Sequence, residues 1–158
     1  MTTPTEVDWL ALCLASETNQ PHEAQYVAWA IRNRRDSKYR GAQTIVDVIL
    51  DRKQFSYFNI WTSGTHPVMT RTDVFIDAMR GYAGKVLTAN RGVYDDCARA
   101  ILEMPTWMAP FGPDVLHYWS PVSMKPKGSK PAWAGTGSRA FTPGCVDPRR
   151  FVFEAGVR

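Results

Sequence analysis

The sequence predicts an α+β protein: a helical body followed by a small irregular or antiparallel β section at the C-terminal end. Two observations carry this. As far as Met104, apolar residues recur at the i, i+3, i+4, i+7 spacing of helices with one buried face. Beyond Met104 the chain turns rich in Pro, Gly and aromatic residues, with short β-prone runs between long turns. The 158 residues, 44% of them hydrophobic, are enough for a substantial core, and no repeat or low-complexity linker interrupts them. A single domain over 1–158 is expected.

The elements follow in order. Residues 8–16 carry Leu10, Cys13 and Leu14 on one face. The same face reaches Glu17 if the helix runs one more turn. After a break at Asn19-Gln20-Pro21, residues 23–34 carry Ala24, Val27, Ala28 and Ile31. A short helix over 44–50 has Thr44 as its N-cap. A longer one is expected over 72–87, with Val74, Phe75, Ala78, Met79 and Tyr82 on one side, and another over 93–104, ending before Pro105. The strand candidates are LHYW (116–119) and FVFEA (151–155).

Composition narrows the chemistry. Net charge is +4 with a pI near 9.1, which suits a polyanionic partner. The basic residues cluster only at RNRR (32–35) and PRRF (148–151). At the end of a helix, RNRR complements the helix dipole without any ligand, so nucleic-acid binding is not expected. No apolar run is long enough to cross a bilayer, so membrane insertion is not expected either. The N-terminus has acids at Glu6 and Asp8 and no positive leading region, so it does not read as a signal peptide and synthesis in the cytosol is expected.

Cys13, Cys97 and Cys145 are too few and too far apart for a metal clip or disulfide framework, and Cys13 reads as core. His22, His66 and His117 form no HExxH or i, i+4 pair, so no metal is expected; His22-Glu23 is expected to help cap the second helix. There is no GxSxG, GxGxxG or Walker pattern, and no cofactor is expected.

Three stretches could carry chemistry. Glu17 would emerge at the core edge at a helix C-terminus, where desolvation and the helix dipole both favour a protonated carboxyl. That is what a general acid for glycosidic cleavage requires, although a half-exposed Glu at a helix end needs no function. QFSYFNIW (54–61) packs four aromatics beside Gln54, Ser56 and Asn59, either as a carbohydrate subsite or as a loop tucked into the core. LHYWSPVSMKPKGSKPAWAG (116–135) places His117, Tyr118, Trp119 and Trp133 in and around loops, where binding residues concentrate.

Together, LALCLASETNQPHEAQYVAWAIRNR, TIVDVILDRKQFSYF, LHYWSP and PAWA, in this order, resemble the SleB-type cell wall hydrolases, the family of the spore-cortex-lytic enzymes. The resemblance implies a lysozyme-like α+β fold with Glu17 as catalytic glutamate at the end of the first helix. It implies cleavage of the β-1,4 bond between N-acetylmuramic acid and N-acetylglucosamine in peptidoglycan by a lytic transglycosylase that leaves a 1,6-anhydro end. Gln25, Gln54, Phe55, Ser56, His117, Tyr118 and Trp133 are the expected substrate contacts, with Asn33 as structural support.

The sequence departs from the family at His22-Glu23-Ala24-Gln25, where a Gly is missing, and at the insert 62–73, which matches no fixed family pattern. Peptidoglycan glycan strands are the expected partner of a monomeric protein. With no export signal or binding repeat, a phage-type lysin freed by a holin or carried in a virion is expected. A hydrolytic lysozyme would need a second carboxylate. Asp47, Asp51, Asp73 and Asp77 each have a capping or solvated role available and none is expected beside an aromatic cluster, which leans towards transglycosylation. A hydrolytic lysozyme and a non-catalytic wall-binding virion protein stand as the alternatives.

Overall fold

The computed structural model describes residues 2–64 and 66–157. The protein is mixed α+β, 51% helical, with a three-stranded antiparallel sheet near the C-terminal end. It divides into two compact units, 1–105 and 106–158, at the place where the composition changes.

The first unit is built around α1 (Glu6–Glu17). Thr5 starts it with a capping box: its hydroxyl accepts the Asp8 N–H while the Asp8 carboxylate accepts the Thr5 N–H. Every residue from Trp9 to Ala15 is buried, because four later helices of this unit pack around this one. A helix apolar on all sides can only be a core helix.

Around it run α2 (Pro21–Asp36), α3 (Ile45–Ile49), α4 (Asn59–Thr62), α5 (Arg71–Met79), α6 (Tyr82–Ala89) and α7 (Arg91–Glu103). Thr44 caps α3 as the sequence predicts, accepting the Asp47 N–H at 3.1 Å. Thr70 caps α5 in the same way through Asp73.

Two expectations for this unit need correction. The helix expected over 72–87 is two helices, broken at Arg80-Gly81. Tyr57 packs into this break: its hydroxyl donates to the Ala78 carbonyl at 2.6 Å, and a Cβ on Gly81 would lie 2.2 Å from the Tyr57 hydroxyl oxygen. Gly84 then lets α6 fold back, since a Cβ there would meet the Met79 carbonyl at 1.8 Å.

His22 does not cap α2. Pro21 occupies the first turn, Gln20 is the N-cap, and His22 points to solvent within the helix. RNRR lies at the end of α2, as expected, but part of it is buried. Arg32 and Arg34 are buried, and Arg32, 7% exposed, donates to the Ile101 and Met104 carbonyls at 2.7 and 2.5 Å. These are carbonyls at the end of α7, which has no basic residue in its last turn.

In the second unit β1 (Val115–Trp119) pairs with β3 (Val152–Ala155), and β3 with β2 (Arg139–Phe141), in the order β1-β3-β2. The sequence points to β1 and β3 but not to β2. Register sets His117 opposite Glu154 and Tyr118 opposite Phe153. Rings of Phe111, Tyr118, Phe141, Phe151 and Phe153 stack together, with neighbouring centroids 5.6–6.2 Å apart.

Candidate active site

Glu17 is the last residue of α1, half-buried, one turn beyond the fully buried Cys13 and Leu14. The helix ends at Glu17, and Pro21 keeps helical backbone from resuming at Gln20. The chain turns extended already at Thr18 (φ −149°, ψ 139°). Thr18 then organises the break. Its hydroxyl accepts the Gln20 N–H at 2.9 Å and donates to the buried Glu23 carboxylate at 2.9 Å.

Two tyrosines close the carbonyl end of α1. The Tyr82 hydroxyl donates to the Ser16 carbonyl at 2.9 Å, and the Tyr94 hydroxyl to the Thr18 carbonyl at 2.6 Å. They satisfy carbonyls that a helix end leaves without intrahelical partners.

Charge around Glu17 is read from its neighbours. Burial pushes the Cys13 thiol well above its ordinary value, and the Glu17 carboxylate adds to this while Arg34 opposes it. Partial burial also raises the Tyr82 phenol, and Glu17 is the next cause. Charge thus couples Cys13 to both Glu17 and Arg34, and Tyr82 to Glu17, in one chain of neighbours. Arg34 extends it by donating to the Gln54 carbonyl oxygen at 3.2 Å.

Tyr82 is 55% exposed and packs its ring edge-on against Tyr57, with centroids 4.8 Å apart. Tyr57 in turn meets Phe58 and Trp61. Beside Glu17 there is thus an aromatic ridge headed by Tyr82.

Of the expected contacts, Gln54 joins that chain of neighbours through Arg34. Ser56 is exposed on the 3-10 turn 56–58. Phe55 is 2% exposed with the Arg34 guanidinium over its face at 5.4 Å, so it is core and not an open sugar platform. Gln25 faces solvent on α2 and donates to the His22 carbonyl at 3.4 Å. Asn33 is buried in α2 beside Arg34.

His117, Tyr118 and Trp133 belong to the second unit. His117 is buried against Trp133, with centroids 5.0 Å apart, so its ring is an inner support for the tryptophan. Tyr118 is half-buried among Phe151 and Phe153.

The acidic residues also sort themselves. Asp47 caps α3 and pairs with Arg71 at 2.6 Å, and these hydrogen bonds, outweighing desolvation, bring its carboxyl down to about 2. Asp51 pairs with Arg40 at 2.6 Å. Asp77 corrects the expectation that no aspartate accompanies the aromatic cluster: it accepts the Trp61 indole N–H at 2.9 Å and acts on Tyr57. Among the described residues, no three His, Cys, Asp or Glu side chains gather as a metal site, and no helix is long and apolar enough to cross a membrane.

Sequence reasoning missed Arg34, Tyr82 and Tyr94. It also missed Glu154, 1% exposed, whose carboxylate accepts the Gly135 and Gly137 N–H groups at 2.8–3.0 Å. Its signal was an acid alternating with apolar residues in FVFEA, which placed it on a strand face opposite the phenylalanines.

No protein-family model, curated protein or solved structure matches the chain.

Proposed function

We propose that the protein is a peptidoglycan lytic transglycosylase of lysozyme-like fold, with Glu17 as its acid and base. The observation that carries this is the position of Glu17: half-exposed at the end of a buried helix, next to the exposed Tyr82. A rigid helix end holds the carboxyl in place, and an aromatic face beside it suits the C–H face of a sugar ring.

In the reaction the Glu17 carboxyl protonates the glycosidic oxygen as its bond to the anomeric carbon of N-acetylmuramic acid breaks. The resulting carboxylate takes the proton of the C6 hydroxyl, whose oxygen bonds to that anomeric carbon and closes the 1,6-anhydro ring. One carboxyl acts twice and no water is consumed.

Hydrolysis on the same bond is the second reading, and Asp77 is the observation in its favour. It stands beside Tyr57, one ring removed from Tyr82, but it is engaged by Trp61. Release through a holin or carriage in a virion would bring the protein to the wall.

Turbidity loss of purified sacculi tests the assignment. Glu17→Gln is expected to slow clearing by about a hundredfold or more, the scale of a lost general acid–base group. Equal clearing by both proteins would sink it. Mass spectrometry of the fragments separates the two reactions, since anhydro ends mean transglycosylation and reducing muramic ends mean hydrolysis.

A further inference from the structure

The positive charge of this protein is unevenly placed. Residues 1–105 hold twelve Lys and Arg against twelve Asp and Glu, and residues 106–158 hold seven against three, so the whole excess of four lies in the second unit. Within that unit Glu154 is buried on backbone N–H groups, and Asp147 is paired with Arg149 at 2.8 Å.

Two segments of this unit carry most of these cations. The loop 124–130 carries Lys125, Lys127 and Lys130, all exposed and, among the described residues, in no ion pair. The turn 147–150 carries Arg149 and Arg150. The Val122 N–H donates to the Arg149 carbonyl at 2.9 Å, tying the start of the loop to the turn.

The loop is shaped rather than slack. Ser129 donates to the Pro126 carbonyl from both its hydroxyl, at 2.6 Å, and its N–H, at 3.1 Å. Its far end is anchored by Trp133 on His117 and by Gly135 and Gly137 on Glu154.

We propose that this basic face binds a phosphodiester polymer attached to the cell wall and holds the enzyme on its substrate. Three lysines on one loop are compact point charges that follow a flexible chain of phosphates without planar readout. A single-stranded nucleic acid would need bases stacked on open rings. Of the rings nearby, Trp133 packs on His117, Tyr118 on Phe151, and Phe141 lies under Arg139. Trp107, 81% exposed, lies in neither basic segment.

The proposal rests on the wall-degrading activity proposed above, and its test separates the two. The full-length protein and its Lys125→Gln/Lys127→Gln/Lys130→Gln variant are sedimented with wall preparations that keep their phosphodiester polymer, and with the same walls stripped of it by hydrofluoric acid. On intact walls in 50 mM salt the variant is expected to bind roughly tenfold more weakly or worse. Wild-type binding should fall steeply towards 200 mM salt, with a log–log slope about 2 units steeper than the variant's. On stripped walls the two proteins should bind alike.

Clearing of polymer-free sacculi should be the same for both, so failure of the enzymatic assignment would appear there and not in the binding. Equal binding by wild type and variant on intact walls would overturn the proposal. So would undiminished binding to stripped walls, or preference for a single-stranded oligonucleotide over the polymer.

Discussion

In residues 1–105 twelve cations face twelve acids, and arginines pair across the unit: Arg40 with Asp51, Arg71 with Asp47, Arg91 with Asp95, Arg32 with Asp36. In residues 106–158 seven cations face three acids, and one of those acids is buried where it neutralises no surface charge. The difference separates two uses of charge. The first unit spends arginines inside, on helix ends and on Cys13's surroundings. The second spends its one buried carboxylate on holding a loop and leaves lysines to the solvent.

The largest effect expected from breaking this arrangement by mutation is loss of clearing in Glu17→Gln, which should leave the fold intact. Next is Arg32→Ala, which orphans the Ile101 and Met104 carbonyls and empties a buried site against Trp29. A loss of about 3 kcal/mol is expected in urea unfolding. A loss under about 0.5 kcal/mol would mean that water replaces the guanidinium without penalty.

Glu154→Gln is the matching test in the second unit. An amide can accept with only one atom, so a glycine N–H then faces a second donor. About 2 kcal/mol is expected locally, read as faster hydrogen exchange at Gly135 and Gly137 with the α1 amides unchanged. Unchanged exchange at both glycines would show that the clamp does not hold the loop.

The smallest effect belongs to a surface pair. Asp47→Asn weakens the α3 cap and the Arg71 bond, for about 1 kcal/mol at neutral pH. The folded carboxyl lies at about 2, below its ordinary 3.8. Its contribution is therefore complete above the ordinary value and is lost as pH falls towards about 2. Wild type and variant should converge in stability across that interval. A gap that persists below it would assign the effect to the cap geometry and not to the charge.

Much of the fold is legible in the sequence. The periodicity of 8–16 and 23–34 and the Thr44 cap are local signals, and α1, α2 and α3 follow them. At the break at Arg80-Gly81 the contact is not local, since Tyr57 packs into it from 21 residues away in sequence, at Ala78. Arg32 and Arg34 look like dipole-compensating cations until α7 and Gln54 are placed against them. β2 escapes notice because three residues with an exposed pair carry no alternation to read.

For the candidate site, the sequence by itself determined that a carboxyl stands where the apolar face of the first helix ends, since helical spacing and a proline three residues after Thr18 suffice for that. It also determined that the charge excess belongs to the last third of the chain. Tertiary structure alone decided that Tyr82 and Tyr94 close the end of α1, that Phe55 is core, and that Glu154 serves a loop. Those outcomes depend on which distant backbone groups need a partner, and a linear pattern records only the residues near each other in the chain.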